Sequence, residues 1–429
     1  MLQVFGSGLL ALWLKSAGIH VTTHEKAWLG VPGSARWVAK TQTDRQAEAI
    51  VDAYLKQLQQ QQQDPARQGI WIQDGWRRLA DRNGTEPRSA ASLTKIATSL
   101  AALREWGPNY QFLTIVAARG EVENGVLKGD LVVKGGGDPD FLWEDAIAVG
   151  NALNDMGIRQ VTGNLVVENR FAMNFEFDPQ KAGEALKLGL NRDLWAAQAP
   201  DAIYVRGELP EGTPQPKVEI LGTVVAPAVS SQRTWGDGGS TPVTPTTRPE
   251  LGGDTLLLNY PSLKLVEILK EMNVYSNNNI AHALADSLGG GEVVMREAIA
   301  ATGVPETEIQ LINGSGLGQE NQVSPRAACA MLVAIEQILT PMGVKVGEAF
   351  PVSGQDIGTL EFRNIPPGSA VKTGTLWNVS ALAGFLPTRD RGSICFAIVN
   401  GGEDFIEPFR ESQDELLKAL QNHYGSPKD

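Results

Sequence analysis

Apolar residues recur at every fourth position over 47–58, where Ile50, Tyr54 and Leu58 would lie on one face of a helix. The residues between them are mostly polar and would face solvent. This pattern predicts an amphipathic helix that packs against a core on one side only. Apolar runs of helical length predict further helices over 90–106, 145–156, 263–272, 279–288, 325–339 and 409–423.

Shorter apolar segments bounded by glycine, proline or asparagine have the length of strands. The segment 69–79 predicts two strands joined by a turn at Asp74-Gly75. Further strands are expected at 112–118, 129–133, 164–168, 370–375, 380–387 and 393–400. The last three follow one another closely, so we expect an antiparallel meander that a final helix closes.

Alternation along the strand 370–375 sends Lys372 and Gly374 to one face and Val371 and Thr373 to the other. Residues from both sets could serve a single site only if the strand were bent or lay at the edge of its sheet.

The stretch 143–249 differs from its surroundings because it is irregular, with one predicted helix and one strand. It ends in the segment TPVTPTTRP, whose prolines indicate a linker or a crossing of the surface. We predict a small β-rich domain at 143–249, inserted into an α+β domain formed by 65–142 and 250–429. In this larger domain an antiparallel sheet would be flanked by helices.

Residues 1–64 are expected to form a separate N-terminal segment that ends in the predicted helix 47–58. The apolar run at 4–14, VFGSGLLALWL, is too short to span a bilayer. It resembles the core of an export signal, but no basic residue precedes it. A degenerate signal, a mis-set start, a membrane-surface segment and an ordinary buried helix all remain open for this run.

The chain has 429 residues and a formal net charge of −12, which argues against a nucleic-acid partner. None of its four histidines stands in a metal-ligand pattern, so we expect neither a metal nor another cofactor. Cys329 and Cys395 lie in apolar surroundings, which favours buried small side chains over a disulfide. The oligomeric state cannot be inferred from these features.

The tetrad Ser92-Leu93-Thr94-Lys95 stands at the start of the predicted helix 90–106. A serine and a lysine three positions apart share one helix face, so the amine would reach the hydroxyl. Serine needs a base to become a nucleophile, and a lysine whose pKa is lowered can be that base. The tetrad alone is a weak signal, because exposed helices often begin with a capping serine.

Two further motifs follow in order, the tripeptide SNN at 276–278 and the tripeptide KTG at 372–374. The set S-x-x-K, S-x-N and K-T-G is typical of penicillin-recognising serine enzymes. Simpler roles exist for single residues: Asn278 could cap a helix that begins at Asn279, and Lys372 could be an exposed strand lysine. Such roles do not explain why all three motifs occur in order.

From about Gly69 to its C-terminus the chain resembles the penicillin-binding protein 4 family of D-alanyl-D-alanine carboxypeptidases and endopeptidases. The resemblance is carried by SAASLTKIATSLAAL (89–103), LVVKGGGDPDF (131–141), EMNVYSNNNIAHAL (271–284), INGSGLG (312–318) and VKTGTLWNVSALAGFL (371–386). The 184 positions between Ser92 and Ser276 (276 − 92) fit this family, which carries extra domains between its first two motifs.

This resemblance implies a serine D-Ala-D-Ala carboxypeptidase, with D,D-endopeptidase action also open. The expected substrates are peptidoglycan stem peptides that end in D-Ala-D-Ala, and the expected inhibitors are β-lactams. Work on such a substrate implies a location outside the cytoplasm, in the periplasm. No metal or organic cofactor is indicated.

In the implied mechanism Ser92 attacks the scissile carbonyl and Lys95 takes its proton. Ser276 would pass a proton to the leaving amine, and Asn278 would hold the backbone amide of the substrate.

The implied binding groups lie on the strand 370–375. Lys372 and Thr373 would bind the terminal carboxylate beside Gly374, and the backbone N–H groups of Ser92 and Thr375 would form the oxyanion hole.

The sequence departs from the family at Asn313, where aspartate is usual, and at Glu168-Asn169, where Asp-Asp or Asp-Ser is usual. A Gly-Trp-Pro-Trp segment common in the family is absent from 143–249. These changes concern the contacts of the insertion rather than the three motifs. The glycine-rich loop at 135–139 lacks the pattern of a phosphate or calcium loop, so we interpret it as a structural turn.

Two alternatives remain open. Tyr275-Ser276-Asn277 also fits the Y-x-N motif of class C β-lactamases and related esterases, in which tyrosine transfers the proton. The chain could also be a non-catalytic homologue that binds cell-wall peptides without turning them over.

Overall fold

The computed structural model describes residues 43–75, 77–197, 211–226, 249–403 and 406–427. The apolar run at 4–14 and nearly all of the proline-rich segment 241–249 lie outside these residues. None of the helices within the described ranges combines the length and the apolar character that crossing a bilayer would require.

A five-stranded sheet, with every neighbouring pair antiparallel, forms the larger part of the fold. In spatial order its strands are β13 (Ala370–Leu376), β14 (Val379–Thr388), β15 (Gly392–Gly401), β1 (Gln68–Asp74) and β2 (Arg77–Arg82). The three C-terminal strands form the predicted meander, and the hairpin of β1 and β2 completes the sheet. β13 lies at the edge of this sheet. An edge position or a bend in the strand was needed for residues from both of its faces to serve a single site.

Helices cover both faces of this sheet. Successive side chains along each strand point to opposite faces, and both faces carry apolar side chains. Ile70 and Ile72 of β1 share a core with one set of helices, and Trp71 between them shares a core with the other set. The first set is α1 (Arg45–Gln60) and α9 (Glu407–Tyr424). The second set is α2 (Thr94–Trp106), α5 (Leu265–Val274), α6 (Asn278–Leu288), α7 (Gly291–Thr302) and α8 (Pro325–Leu339).

The predicted fold class, an α+β domain with an antiparallel sheet between helices, is confirmed.

Capping residues set several helix ends: Asp44 caps α1 and Ser324 caps α8, which begins with a proline. Gly289 and Gly303 adopt the left-handed conformation that ends α6 and α7.

A second sheet has its own hydrophobic core. Its strands are β4 (Leu113–Glu123), β5 (Val126–Gly136), β6 (Gln160–Val161), β7 (Leu165–Arg170), β8 (Glu219–Ile220), β9 (Val224–Val225) and β10 (Thr255–Pro261). The helices α3 (Trp143–Asp155) and α4 (Pro179–Gly189) pack against it. β4 pairs with β5 and β10 in antiparallel fashion, and β5 pairs with β7 in parallel.

The predicted limits of the insertion, 143 and 249, would divide this second sheet. β4 and β5 precede residue 143, and β10 follows residue 249, yet all three belong to one hydrogen-bonded ladder. The sequence placed them elsewhere because strand patterns do not reveal pairing partners. We propose as a correction that the β-rich unit extends from about residue 113 to 261.

The β-rich unit lies between the first and second motifs in the sequence but does not separate them in space. The chain leaves the larger unit after α2 and returns through β10, which pairs with β4 near the point of departure. The chain can therefore insert about 150 residues, from 113 to 261, without disturbing the packing of α2 against α5 and α6.

A small third sheet joins β3 (Arg88–Ser89), β11 (Ile309–Gln310) and β12 (Gln322–Val323). β12 lies between the other two and pairs with both of them in antiparallel fashion. This sheet holds the connection 311–321 beside the start of α2.

The sequence missed two helices, α4 and α7. In α4 the residues that face the sheet include Gly183, where an added Cβ would lie 2.6 Å from Val224 and 2.7 Å from Val167. Close packing therefore requires glycine, which has a poor helix propensity and obscures the periodic pattern.

The two cysteines are buried and free, as small core side chains. Cys329 on α8 and Cys395 on β15 face each other, with 2.8 Å between the two Sγ atoms. The burial predicted for both is confirmed, but their mutual proximity could not be inferred from their surroundings in the sequence.

Candidate active site

The entry to α2 carries Ser92 on a tight turn. A 3₁₀ turn over Ala91–Leu93 leads into the α-helix at Thr94. Ala91 has a φ of +47°, a left-handed conformation that costs energy for a residue with a Cβ. The backbone N–H of Ala90 donates to the carbonyl of Asn321 at 2.9 Å, which anchors the turn to the third sheet.

Lys95 points back along α2 to Ser92, as the three-residue spacing predicted. Its Nζ lies 3.0 Å from Ser92 Oγ. The same Nζ donates to Asn278 Oδ1 at 2.7 Å and to the backbone carbonyl of Ser315 at 2.9 Å. The side chain is fully buried.

Burial lowers the pKa of Lys95 to about 7, because loss of water penalises the charged amine. A neutral amine has two N–H donors and one lone pair. Asn278 Oδ1 and the Ser315 carbonyl can only accept, so they take both donors. The lone pair of neutral Lys95 is then left for the hydroxyl of Ser92.

The connection between α5 and α6 brings the second motif to this site. Asn277 caps α6, since its Oδ1 accepts from the backbone N–H groups of Asn279 and Ile280. The idea that Asn278 caps this helix is therefore wrong: α6 begins at Asn278, whose side chain turns to Lys95 instead. Ser276 has a φ of +53°, a second strained position beside the site.

The third motif approaches from β13. Lys372 is fully buried, and its Nζ donates to Ser276 Oγ at 3.0 Å and to the carbonyl of Thr373 at 2.7 Å. Burial and, to a smaller extent, the charge of Lys95 hold the pKa of Lys372 well below its usual range. Lys372 is thus a buried amine rather than an exposed strand lysine.

The edge position of β13 decides which of its backbone groups face the site. The N–H of Val371 donates to the carbonyl of Pro351, so it points away from β14. In an antiparallel strand this direction repeats every second residue. The N–H groups of Thr373 and Thr375 therefore also point outward from the free edge.

β13 lies close to the turn that carries Ser92. A Cβ added to Gly374 would lie 2.9 Å from the carbonyl oxygen of Ala90, so only glycine allows this approach. Thr373 is buried, whereas Thr375 is exposed and its Oγ1 accepts from Arg410 at 3.3 Å. The predicted site residues thus lie at the entry to α2, at the connection that leads into α6, and on β13. Lys95 contacts Ser92 and Asn278, and Lys372 contacts Ser276.

Sequence reasoning missed the loop 312–318 as part of the site, although INGSGLG carried part of the family resemblance. Its Ser315 supplies the third contact to Lys95. The loop packs tightly against the entry to α2, since a Cβ on Gly316 would lie 1.9 Å from the carbonyl oxygen of Ala91. Buried Asn321 closes the loop, and its Oδ1 accepts from the backbone of Ile312 at 3.0 Å.

Tyr275 takes no part in this network: its side chain is 61% exposed, although Ser276 beside it contacts Lys372.

The loop after β5 forms a turn in which the N–H of Asp140 donates to Asp138 Oδ1. Within the described ranges, no group of three or more His, Cys, Asp or Glu side chains could hold a metal ion.

Among known proteins, this chain is similar in sequence to D-alanyl-D-alanine carboxypeptidases. A curated D-alanyl-D-alanine carboxypeptidase from Actinomadura sp. is 27% identical over 440 residues, covering 81% of this chain and 79% of the relative. D-alanyl-D-alanine carboxypeptidase DacB from Haemophilus influenzae is 25% identical, covering 81% and 88%.

Two solved structures share the fold. Penicillin binding protein 4 from Haemophilus influenzae, complexed with a β-lactam, has a TM-score of 0.61 at 19% identity and covers 86% of this chain and 98% of its own. A penicillin G-acylated predatory endopeptidase from Bdellovibrio bacteriovorus has a TM-score of 0.65 at 21% identity, covering 84% and 93%.

The model of the D-Ala-D-Ala carboxypeptidase 3 (S13) family matches residues 49–180 and 201–421, which is most of the chain. The expected resemblance is confirmed, and the protein is a serine-type peptidase: it belongs to the D-Ala-D-Ala carboxypeptidase 3 family.

Proposed function

We propose that this protein is a serine D-Ala-D-Ala carboxypeptidase in which Ser92 is the acylated nucleophile and Lys95 its base. The observation that carries the proposal is the contact of a buried amine, with a pKa of about 7, with a serine hydroxyl at 3.0 Å. The other two neighbours of the amine are acceptors, so the neutral form must present its lone pair to Ser92.

The reaction begins when Ser92 Oγ attacks the carbonyl of the penultimate D-Ala and its proton moves to Lys95. Negative charge develops on the carbonyl oxygen, and the N–H groups of Ser92 and Thr375 are the proposed donors that stabilise it. The C–N bond then breaks, and the terminal D-Ala leaves as an amine that must gain a proton.

Ser276 is the proposed route for that proton: its hydroxyl, which Lys372 holds in place, would donate to the leaving amine and be replenished by the proton that Lys95 took from Ser92. A bound carboxylate favours the charged form of Lys372, which with Thr373 would hold the terminal carboxylate of the substrate next to Gly374. Asn278 already uses its Oδ1 on Lys95, so its amide N–H groups would hold the backbone of the substrate. Water then releases the acyl group from Ser92.

The proposed substrates are peptidoglycan stem peptides that end in D-Ala-D-Ala, and the proposed inhibitors are β-lactams, which would acylate Ser92 and leave slowly. The named relatives and the β-lactam complex of the structural neighbour support this choice. Peptidoglycan lies outside the cytoplasm, so we propose that the protein acts there, in the periplasm.

Fluorescent penicillin should form a stable adduct on Ser92 that mass spectrometry of the labelled peptide locates. S92A should reduce labelling by more than about a thousandfold, because no other group replaces the attacking oxygen. S89A is the matched control, since this nearby hydroxyl has no hydrogen-bond partner among the described residues, and it should label normally. A folded wild-type protein that is neither labelled nor hydrolyses penicillin would make the non-catalytic homologue the better interpretation.

The peptide specificity can be measured with the same preparation. Release of D-Ala from a stem pentapeptide would establish carboxypeptidase action, and cleavage of a cross-linked peptide dimer would establish endopeptidase action. Rapid hydrolysis of penicillin without accumulation of an adduct would instead indicate a β-lactamase.

The acylation rate should depend on pH through Lys95. The active form is the neutral amine, so the rate should fall as pH decreases below about 7 and approach a drop of about tenfold per pH unit. Above that pH the rate should reach a plateau. The measurement is the second-order acylation constant between about pH 5 and pH 8. A constant rate across this range would contradict the role of Lys95 as the base.

Two single variants test whether Ser276 or Tyr275 transfers the proton to the leaving amine. Since Ser276 contacts Lys372 and Tyr275 is exposed, S276A should reduce turnover of the stem pentapeptide on the order of a hundredfold. Y275F should keep the rate within about threefold, as a surface substitution outside the network would. Loss of activity in Y275F with S276A tolerated would support the class C-like mechanism instead.

A further inference from the structure

We propose that His282 is a positioning residue of the active site, which acts through Ser315 to hold one of the two acceptors that orient Lys95. This inference rests on the proposed roles of Ser92 and Lys95 and extends the site to a residue outside its three motifs. His282 belongs to no metal-ligand pattern. Its position on α6 supports a role in holding Ser315 instead.

The carbonyl of Ser315 is a fixed acceptor for Lys95 Nζ at 2.9 Å. Without it, the neutral amine could rotate, and its lone pair would no longer be confined to the direction of Ser92. The position of this carbonyl therefore matters as much as that of Asn278, although it is a backbone group that no motif reveals.

Ser315 is itself held by its side chain, which is almost completely buried. Its Oγ lies 3.0 Å from His282 Nε2 and 3.2 Å from Asn313 Oδ1. The N–H of Leu317 donates to the same Oγ at 3.2 Å. Asn313 Oδ1 also accepts from the backbone N–H groups of Ser315 and Gly316. The tautomer of the imidazole sets the direction of the hydrogen bond between Ser315 Oγ and His282 Nε2: Nε2 donates when it carries the proton and accepts when Nδ1 carries it.

The two acceptors of Lys95 are thereby fixed by one helix. Asn278 and His282 are four residues apart on α6 and so share one face. Asn278 contacts the amine directly, and His282 contacts it through Ser315. A change in the position of α6 would move both acceptors together, which keeps their geometry around Lys95 constant.

His282 holds Ser315 as a neutral imidazole. It is half-buried, and burial lowers the pKa of its imidazole; Asp286 opposes that shift, and the charge of Lys95 adds to it. The role therefore needs a hydrogen-bonding group at the Nε2 position rather than a positive charge. Glutamine places an amide, which can donate or accept, at a similar distance from the backbone, whereas leucine places only methyl groups there.

The test compares H282L, H282Q and the control S287A, and measures acylation by fluorescent penicillin in stopped flow. S287A removes a buried hydroxyl on the same helix whose donation is to the helix backbone at Ala283. For H282L we expect the acylation rate constant to fall on the order of ten- to hundredfold, since misplaced catalytic groups lose about that much. The dissociation constant for non-covalent binding should stay within about threefold of the wild type, because His282 acts on the chemical step.

H282Q should restore most of the rate, and S287A should have the wild-type rate and affinity. The positioning role is overturned if H282L acylates at the wild-type rate. It is equally overturned if H282L and H282Q lose rate and affinity alike, because that result would indicate a general structural defect.

Crystal structures of the wild type and H282L provide a readout that does not depend on activity. The Ser315 carbonyl should lie within hydrogen-bond distance of Lys95 Nζ in the wild type and outside it in H282L. An unmoved carbonyl would refute the proposal. A wild-type protein that penicillin does not acylate would refute the proposed function, and the two structures would still decide the positioning role.

A separate observation concerns the two cysteines. We infer that Cys329 and Cys395 form a disulfide when the protein folds in an oxidising compartment. Their Sγ atoms are 2.8 Å apart in a core where neither side chain has appreciable contact with water. This separation is below the contact distance of two non-bonded sulfur atoms, so the fold brings the pair into bonding range.

The bond would join α8 to β15 and close a loop with a sequence separation of 66 residues. α8 packs in the same core as α2, so the link would fix the support behind Ser92 and Lys95. The two thiols would lose two protons and two electrons to the disulfide of a thiol–disulfide oxidoreductase, which becomes a dithiol. Burial raises the pKa of the Cys395 thiol, so the reaction belongs to folding and not to the folded state.

The test is intact mass and thiol alkylation of unfolded protein that was recovered from an oxidising compartment. We expect a mass lower by two hydrogen atoms, no alkylation without reductant, and a Tm that falls by several degrees on reduction. The double variant C329A/C395A should show no response of its Tm to reductant. Two alkylated cysteines in the untreated wild-type protein would overturn this inference.

Discussion

The buried amine of Lys95 is the interaction on which the rest of the site depends. Its three neighbours come from three parts of the chain: Ser92 from its own helix, Asn278 from α6 and the carbonyl of Ser315 from the loop 312–318. An amine without water is costly unless its hydrogen bonds are made. The fold satisfies them with two pure acceptors, and the remaining partner is Ser92, the proposed nucleophile.

The surrounding structure maintains this arrangement against local strain. Ala91 and Ser276 both have positive φ angles without being glycine, and each stands next to or within one of the three sequence motifs. Gly316 and Gly374 allow backbones to approach the entry to α2 more closely than any other residue would. A second buried amine, Lys372, adds a further cost to stability. Such costs are tolerated where activity needs a fixed geometry.

Much of the fold and the site was determined by local sequence. Periodic apolar residues predicted most helices and the C-terminal meander, because burial of one face imposes that periodicity. The spacing of Ser92 and Lys95 predicted their contact, since one turn of a helix brings them together. The occurrence of all three motifs in order indicated the chemistry of a penicillin-recognising serine enzyme, because each motif supplies a different group that this chemistry needs.

Other features depend on contacts between distant segments, and only the tertiary structure decided them. The pairing of β4 with β10 supports the proposed extension of the β-rich unit, and the sequence did not reveal it because a strand pattern carries no information about its partner. Asn277 rather than Asn278 caps α6, because Asn277 has the extended backbone that precedes the helix, and the side chain of Asn278 contacts Lys95 instead. The roles of Ser315 and His282 arise from a backbone carbonyl and a hydroxyl whose positions depend on packing. The sequence determined which groups could react; the tertiary structure decided which of them meet, because burial and hydrogen bonding at the site join residues far apart in the chain.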